Sequence, residues 1–376
     1  ISFFVFDFLD VPNLRFPEFK GEWEDKKLGD LCSEFKSGKN IKSAEILEDG
    51  KFPVFGGNGL RGFTHKYNYN GEYVIVGRQG ALCGNVRLVE GKCYMTEHAI
   101  VIQGSEDNNT KFLLYLLDKL NLGQYSDQSA QPGLAVNKLQ KIKVTIPNLS
   151  EQNKIASFLF LLDQRIKTQI KIIEDLKVLQ NTLIDYYYHH QRYDKNVSLF
   201  DCISQTSERN KKNNAFPVLS VSNKYGFIQQ IEQFENRKVA SEDISNYKIV
   251  RKNDFAYNPA RINVGSIAKL IKYSNGIVSP MYICFRAKDN FLPDFLEFYF
   301  KSKQFKNEVL KRLEGSVRQC LPFEGLCDIP VVFPPKEKQK DIITQLSAIQ
   351  TKIEIETTIK ELQLKQKQHL LHQMLI

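Results

Sequence analysis

The sequence predicts an α+β chain in which two similar α/β globules alternate with two long helices that can pair with each other. Three observations lead there. First, a proline followed by a long helix with apolar steps of three and four occurs twice. A shift of 187 positions lays Pro147 on Pro334, Gln152 on Gln339, Ile155 on Ile342, Leu159 on Leu346 and Ile166 on Ile353. Second, the stretch before each helix repeats one order of short strands, glycine turns and a helix. Gly84-Asn85-Val86 falls on Gly265-Ser266-Ile267 at a shift of 181. Third, 376 residues exceed what one core usually holds, and 26 Phe with 16 Tyr suit folded domains.

Residues 1–22 read as an N-terminal arm. The opening run to Leu9 is apolar but short for a bilayer span, carries Asp7 and lacks a basic leading region. It begins on Ile1 rather than Met, so a non-standard or truncated start is expected, and the leader is given no role. Pro12, Phe16, Pro17 and Phe19 then suggest an extended segment lying on the first globule. That globule takes residues 23–147. Strands are expected at 52–55, 73–77, 84–89, 99–102 and 142–146, a helix at 109–120, and a polar loop at 126–133.

The central helix takes residues 148–192, with Ile155, Leu159, Leu162, Ile166 and Ile173 on its seam. A second globule follows at 193–334. Strands are expected at 216–219, 248–257, 265–270, 281–285 and 329–333, and a helix at 293–300 that runs on toward Leu310. Residues 335–376 form the second long helix, with Ile342, Leu346, Ile349, Ile353 and Ile359 on its seam. A proline upstream of each helix marks the turn out of an extended segment.

Composition narrows the partner. The formal charge is +9, with Lys and Arg spread along the whole length. No basic amphipathic helix with a bulky apolar face occurs, so nucleic acid is expected before membrane. Seven cysteines are scattered without a Cys-x-x-Cys pair, which fits reduced thiols in the cytoplasm and supplies no zinc spacing. The six histidines give no metal set; His189, His190, His369 and His372 sit near helix ends.

Two motifs suggest an enzyme, and neither has the context its chemistry needs. Phe55-Gly56-Gly57-Asn58-Gly59 matches a methyl-donor loop, yet such a loop closes a strand and opens a helix, and Leu60 to His65 reads as turn and strand. Asn258-Pro259-Ala260-Arg261 resembles an adenine-gripping turn but lacks its second proline and stacking aromatic. No phosphate loop, acidic nuclease set or nucleophile signature is present, and no catalytic residue or cofactor site is assigned.

What remains is glycine-rich loops carrying amide and basic side chains in both globules. In the first these are Lys39, Asn40, Asn58, Arg61, Arg78, Gln79 and Gln131. In the second they are Asn223, Lys224, Asn258, Arg261, Asn263, Arg318 and Gln319. Arg matches the paired acceptors of guanine, Asn and Gln match the acceptor and donor of adenine, and Lys neutralises phosphates. Two other readings stay open: a coiled-coil adaptor whose globules bind proteins, and a self-contained DNA methyltransferase. Steep salt dependence of DNA binding separates the first, and methyl-donor binding by the isolated chain the second.

Several motifs in order carry a family resemblance. They are Val11-Pro-Asn-Leu-Arg-Phe-Pro17 with Gly21-Glu-Trp23, then Phe55-Gly-Gly-Asn-Gly59, Gly77-Arg-Gln-Gly80 and Cys83-Gly-Asn85. The doubled helix start closes the set, as Pro147 to Ile155 and, with Lys338 between Glu337 and Gln339, as Pro334 to Ile342. Over about residues 11–376 the chain resembles the specificity (S) subunit of type I restriction–modification systems.

That resemblance implies two target-recognition domains, each reading half of a split double-stranded DNA sequence. It implies that the long helices pair as an antiparallel coiled coil that spaces the half-sites and docks two modification (methyltransferase) subunits. S-adenosylmethionine would then sit on those partners, and ATP on restriction subunits that translocate and cleave DNA. Helices of roughly 30–40 residues, about 45–60 Å at 1.5 Å per residue, are long enough to separate two readers by one DNA turn of about 34–36 Å.

Overall fold

The computed structural model describes residues 12–80, 82–126, 133–189, 197–212, 214–230, 243–315 and 319–376. The chain divides into two compact units, residues 1–170 with 358–376, and residues 171–357.

In the first unit, β1 (Glu24–Lys27), β2 (Cys32–Ser37), β3 (Phe52–Gly56), β4 (Gly59–Thr64), β5 (Tyr69–Gly77), β6 (Val86–Met95) and β7 (Ala99–Gly104) precede α1 (Thr110–Lys119). Then come α2 (Val136–Leu139), β8 (Lys143–Ile146) and the first part of α3 (Leu149–His189). Six strands form one sheet in the order β2-β7-β5-β6-β3-β4, while β1 pairs with β8. Neighbours run antiparallel except β3 and β6, which are parallel with Val54 opposite Tyr94. The centre is apolar on both faces: Val74, Ile75, Val76, Ile100, Val101 and Ile102 are all buried. Asn109 caps α1 by accepting from the Phe112 N–H, and Phe112, Leu113, Leu116 and Leu117 face the core.

The described part of the arm, from residue 12, is fixed rather than merely draped. Arg15 donates two hydrogen bonds of 2.7 Å to the buried carboxylate of Glu151 in the first turn of α3. Phe16 meets Phe158 edge-on at 5.9 Å, and the Leu14 N–H donates to the Gln373 carbonyl.

The second unit repeats the order. Here β9 (Val197–Ser198), α4 (Leu199–Cys202), β10 (Ile203–Thr206), β11 (Val218–Ser222) and β12 (Gly226–Gln229) lead in. They are followed by β13 (Lys248–Arg251), β14 (Phe255–Tyr257), β15 (Ile267–Lys269), β16 (Asn275–Val278), β17 (Ile283–Ala287), α5 (Pro293–Tyr299), α6 (Lys303–Lys311), α7 (Phe323–Cys327), β18 (Pro330–Val331) and α8 (Lys336–Met374). The parallel pair recurs, with Val218 on β11 opposite Ile277 on β16. The single sheet does not. It splits into β10-β17-β14-β15 and β12-β11-β16-β13.

Two sequence expectations fail here, each for a local reason. The strand expected over 248–257 is broken in two, because Asn253 takes φ 72° and the buried Asp254 carboxylate accepts from the Arg251 N–H. The helix from Pro293 does not run on toward Leu310. Ser302 caps a new helix by accepting from the Phe305 N–H, so α5 and α6 are separate. The alternation also left some strands unrevealed: β1 and β2 in the first unit, and β9, β10, β12 and β16 in the second.

The long helices pair within each unit, and the partners run in opposite directions. Asp163 on α3 meets Lys367 on α8 at 2.7 Å in the first unit, whereas Gln180 meets Gln350 at 3.0 Å in the second. Ile155, Leu159, Ile166, Ile173, Ile342, Leu346 and Ile353 are buried, Ile155 and Leu159 in the core cluster of the first unit and Ile342 and Leu346 in that of the second. Leu162, Ile349 and Ile359 are half-buried. The same 3–4 spacing also buries Gln169, Gln180, Glu356 and Gln363.

Candidate nucleic-acid interface

In the first unit, loops far apart in sequence converge on the turn from Met95 to Ala99. The Lys39 N–H donates to the Met95 carbonyl, the Gly38 N–H to Ala99, and the Arg78 N–H to His98. The Thr96 N–H returns a bond to Phe55. Two glycines are required by this closeness. A Cβ on Gly38 would stand 2.3 Å from the Met95 oxygen, and one on Gly57 would stand 2.6 Å from the His98 oxygen.

The side chains so gathered are polar. Asn58, Arg61, Gln79 and His98 line a recess of about 220 Å³ with Gly57, and His98 Nδ1 lies 3.2 Å from Gln79 Oε1. Lys39, Asn40, Asn58, Arg61 and Gln79 are exposed, while Arg78 is half-buried. Asn40 also accepts from the Tyr94 hydroxyl through its carbonyl. Gln131 lies outside the described residues. Five of the seven residues singled out in this globule therefore sit on loops tied to one turn or to its flank, whereas Arg61, expected on a loop, stands on β4 because the hairpin pairing with β3 begins at Gly59.

The second unit brings its loops together differently. Ser266 donates from its hydroxyl to the Val221 carbonyl, which seats the 258–266 loop against the β11–β12 turn carrying Asn223 and Lys224. The Leu321 N–H donates to the Pro259 carbonyl and so draws in the segment bearing Gln319. Asn223, Lys224, Arg261, Asn263 and Gln319 are exposed. Asn258 is buried instead, and its side-chain oxygen accepts from the Ala260 N–H. It shapes the turn that presents Arg261 and Asn263. Arg318 lies outside the described residues.

Beside these loops Lys269 is buried between Asp294 and Glu297. Burial works against its ammonium, but the two carboxylates win and hold it above the usual lysine range. Glu297 is held below the carboxylate range despite its own burial, because Lys301 and Lys269 both face it. This is an internal ion cluster with its charges satisfied, not a reactive base.

The doubled helix start has one geometry in both units. Gln152 donates to the Pro147 carbonyl at 2.9 Å and accepts from the Asn109 N–H at 3.0 Å. Gln339 donates to the Pro334 carbonyl at 3.0 Å and accepts from the Leu292 N–H at 3.1 Å. Each glutamine thus joins the proline turn to the cap position just before the globule's own helix.

Sequence reasoning passed over His98 and Arg87 in the first unit, and Lys272, Lys301 and Lys306 in the second, all of which lie beside the loops. None stands in a glycine-rich motif, so only the fold gathers them. Among the described residues, no group of three His, Cys, Asp or Glu could hold a metal ion, and no helix is long and apolar enough to cross a membrane.

Comparison with known proteins places this architecture. Residues 20–177 and 201–365 match the family described as the type I restriction modification DNA specificity domain. A 150-residue stretch is 41% identical to the type I restriction enzyme EcoprrI specificity subunit of Escherichia coli, covering 39% of this chain and 37% of that one. The chain thus spans little more than a third of that relative's length. The MjaVIII specificity subunit of Methanocaldococcus jannaschii is 23% identical over 94% of this chain and 92% of its own. In solved structures, the S subunit from M. genitalium shares the fold with a TM-score of 0.66 at 15% identity, over 97% of this chain and 99% of that one. A chain from a study of complex assembly and conformational transition of the type I R-M system does so at a TM-score of 0.55 and 15% identity, over 93% and 96%.

Proposed function

The chain belongs to the type I restriction modification DNA specificity family, and on that premise we propose that it is the targeting subunit of a type I restriction–modification complex. Residues 23–147 and 193–334 act as two target-recognition domains, each reading one half of a split DNA sequence. The helices at 148–192 and 335–376 set the gap between the halves. The observation that carries this reading is the convergence of polar loops in each unit, Asn58, Arg61, Gln79 and His98 in one and Asn223, Arg261 and Asn263 in the other. Arg supplies paired donors to guanine, and Asn or Gln a donor and an acceptor to adenine.

The helices also dock two modification subunits. Supporting this, Leu161, Val178 and Leu362 are 67%, 64% and 59% exposed on helices whose seam is already filled. The chain itself performs no bond-making step. S-adenosylmethionine is held by the modification subunits and ATP by restriction subunits, and the assembly works in the cytoplasm.

The test is methylome sequencing of cells carrying the modification subunits with and without this chain. A split motif methylated only when the chain is present is the expected result, and an unchanged methylome rejects the reading. In the same assay, Arg61→Ala and Arg261→Ala are each expected to relax one half-site and leave the other intact. Losing a bidentate contact removes about 1–3 kcal/mol of discrimination, roughly 5- to 150-fold. Wild-type methylation by both variants would show that these arginines do not read bases.

A further inference from the structure

We infer that a lysine-lined cleft in the second unit is a seat for the DNA phosphodiester backbone. The inference rests on the DNA-reading function proposed above and adds residues that it does not use. The cleft holds about 820 Å³ and lies between the β11–β12 turn, the segment after β15, and α5 with α6. Lys224, Lys269, Lys272, Lys301 and Lys306 line it against a single carboxylate, Glu297.

The pairing of these charges decides what the cleft can hold. Lys269 is buried and satisfied by Asp294 and Glu297, and Lys301 also reaches Glu297 at 3.1 Å. Among the described residues, no carboxylate lies within 4.0 Å of Lys224, Lys272 or Lys306, and all three are exposed. Lys224 and Lys272 lie over the rings of Tyr225 and Tyr273, which leave their charge in place. Three cations without a carboxylate around one concavity repel one another and focus a positive field into it. A spaced row of phosphates relieves that repulsion at each position, and a single small anion does not.

The cleft also adjoins the proposed readers. Asn223 and Asn263 share its lining, so a strand whose bases meet the 258–266 loop brings its backbone past Lys272 and Lys306. The corresponding hollow in the first unit, bounded by β6, α1 and α3, is different. Arg87 and Lys367 there face Asp118 and Asp163 among apolar side chains. The basic cleft is thus a property of one unit and not of the shared fold.

The experiment measures binding of the full chain, with its modification subunits, to a mixed-sequence DNA duplex over a range of salt concentrations. Lys272→Gln with Lys306→Gln removes two exposed charges that no carboxylate neutralises. The slope of log affinity against log salt is expected to become shallower by about 1.8, since each phosphate contact contributes about 0.9. A control, Lys177→Gln with Lys365→Gln on the long helices, removes the same charge and is expected to leave the slope unchanged.

If the wild type binds DNA and the cleft variant keeps the wild-type slope, the inference is overturned while the DNA-reading function stands. If that variant instead loses modification subunits from the complex, the cleft is a seat for an acidic protein surface and the inference is again overturned. If the wild-type complex binds no duplex, both fail together.

Discussion

Insertion of seven residues into both long helices, after Ile170 in α3 and after Thr357 in α8, is expected to widen the gap of the recognised DNA sequence and to keep both half-sites. These positions fall where the chain divides between its two units, so neither globule is disturbed. Seven residues complete nearly two helical turns and leave every seam position within about 20° of its old direction. They add about 10.5 Å of helix at 1.5 Å per residue, which corresponds to at most about three base pairs at 3.4 Å each.

The wild-type target should therefore go unmethylated, and methylome sequencing should show the same two halves further apart. An insertion in α3 alone is expected to abolish recognition instead. It would slide Asp163 away from Lys367, or Gln180 away from Gln350, and break the register of one unit's pairing. A double insertion that still methylates the wild-type spacing would remove the helices from any role in measuring distance.

The sequence made that pairing visible because apolar steps of three and four need no tertiary information. Following the same steps without regard to polarity would also have reached Gln169, Gln180, Glu356 and Gln363, which are buried on the long helices although they are polar. A buried amide in such a seam favours the one register in which it finds a partner, as Gln180 finds Gln350.

The globules were less legible. A strand over 248–257 looks continuous by composition, and only the positive φ of Asn253, held beside the Asp254 side chain, divides it. The convergence of residues 38, 57, 78 and 96–99 was out of reach for a different reason. It is made by backbone hydrogen bonds across long sequence separations, and no local pattern encodes them. The glycines at 38 and 57 were readable as turns, but the reason they must be glycine is the carbonyl each one faces.

Replacement of Gln152 or Gln339 by Leu is expected to be the most damaging single change at the helix starts. Both side chains are 1% exposed, and each satisfies a proline carbonyl and the N–H of a helix-capping residue. Leucine fills the volume but offers no hydrogen bond, so two buried backbone groups lose their partners at once. At about 1–3 kcal/mol for each, the cost is roughly 2–6 kcal/mol. For units of this size, that lowers the melting temperature by about 5–15 °C.

Amide exchange should report the damage in different places. For Gln152→Leu protection falls around Asn109 and the start of α1, and for Gln339→Leu around Leu292 and the start of α5. Gln152→Glu separates lost bonding from lost shape. Its carboxyl can accept from Asn109 in either form but can donate to Pro147 only when protonated. Burial raises its pKa in the folded chain, so its stability should be greatest at low pH and fall as pH rises through that value. Melting curves for both leucine variants that overlay the wild type would mean that the repeated Pro–Gln pairing marks common ancestry and holds nothing together.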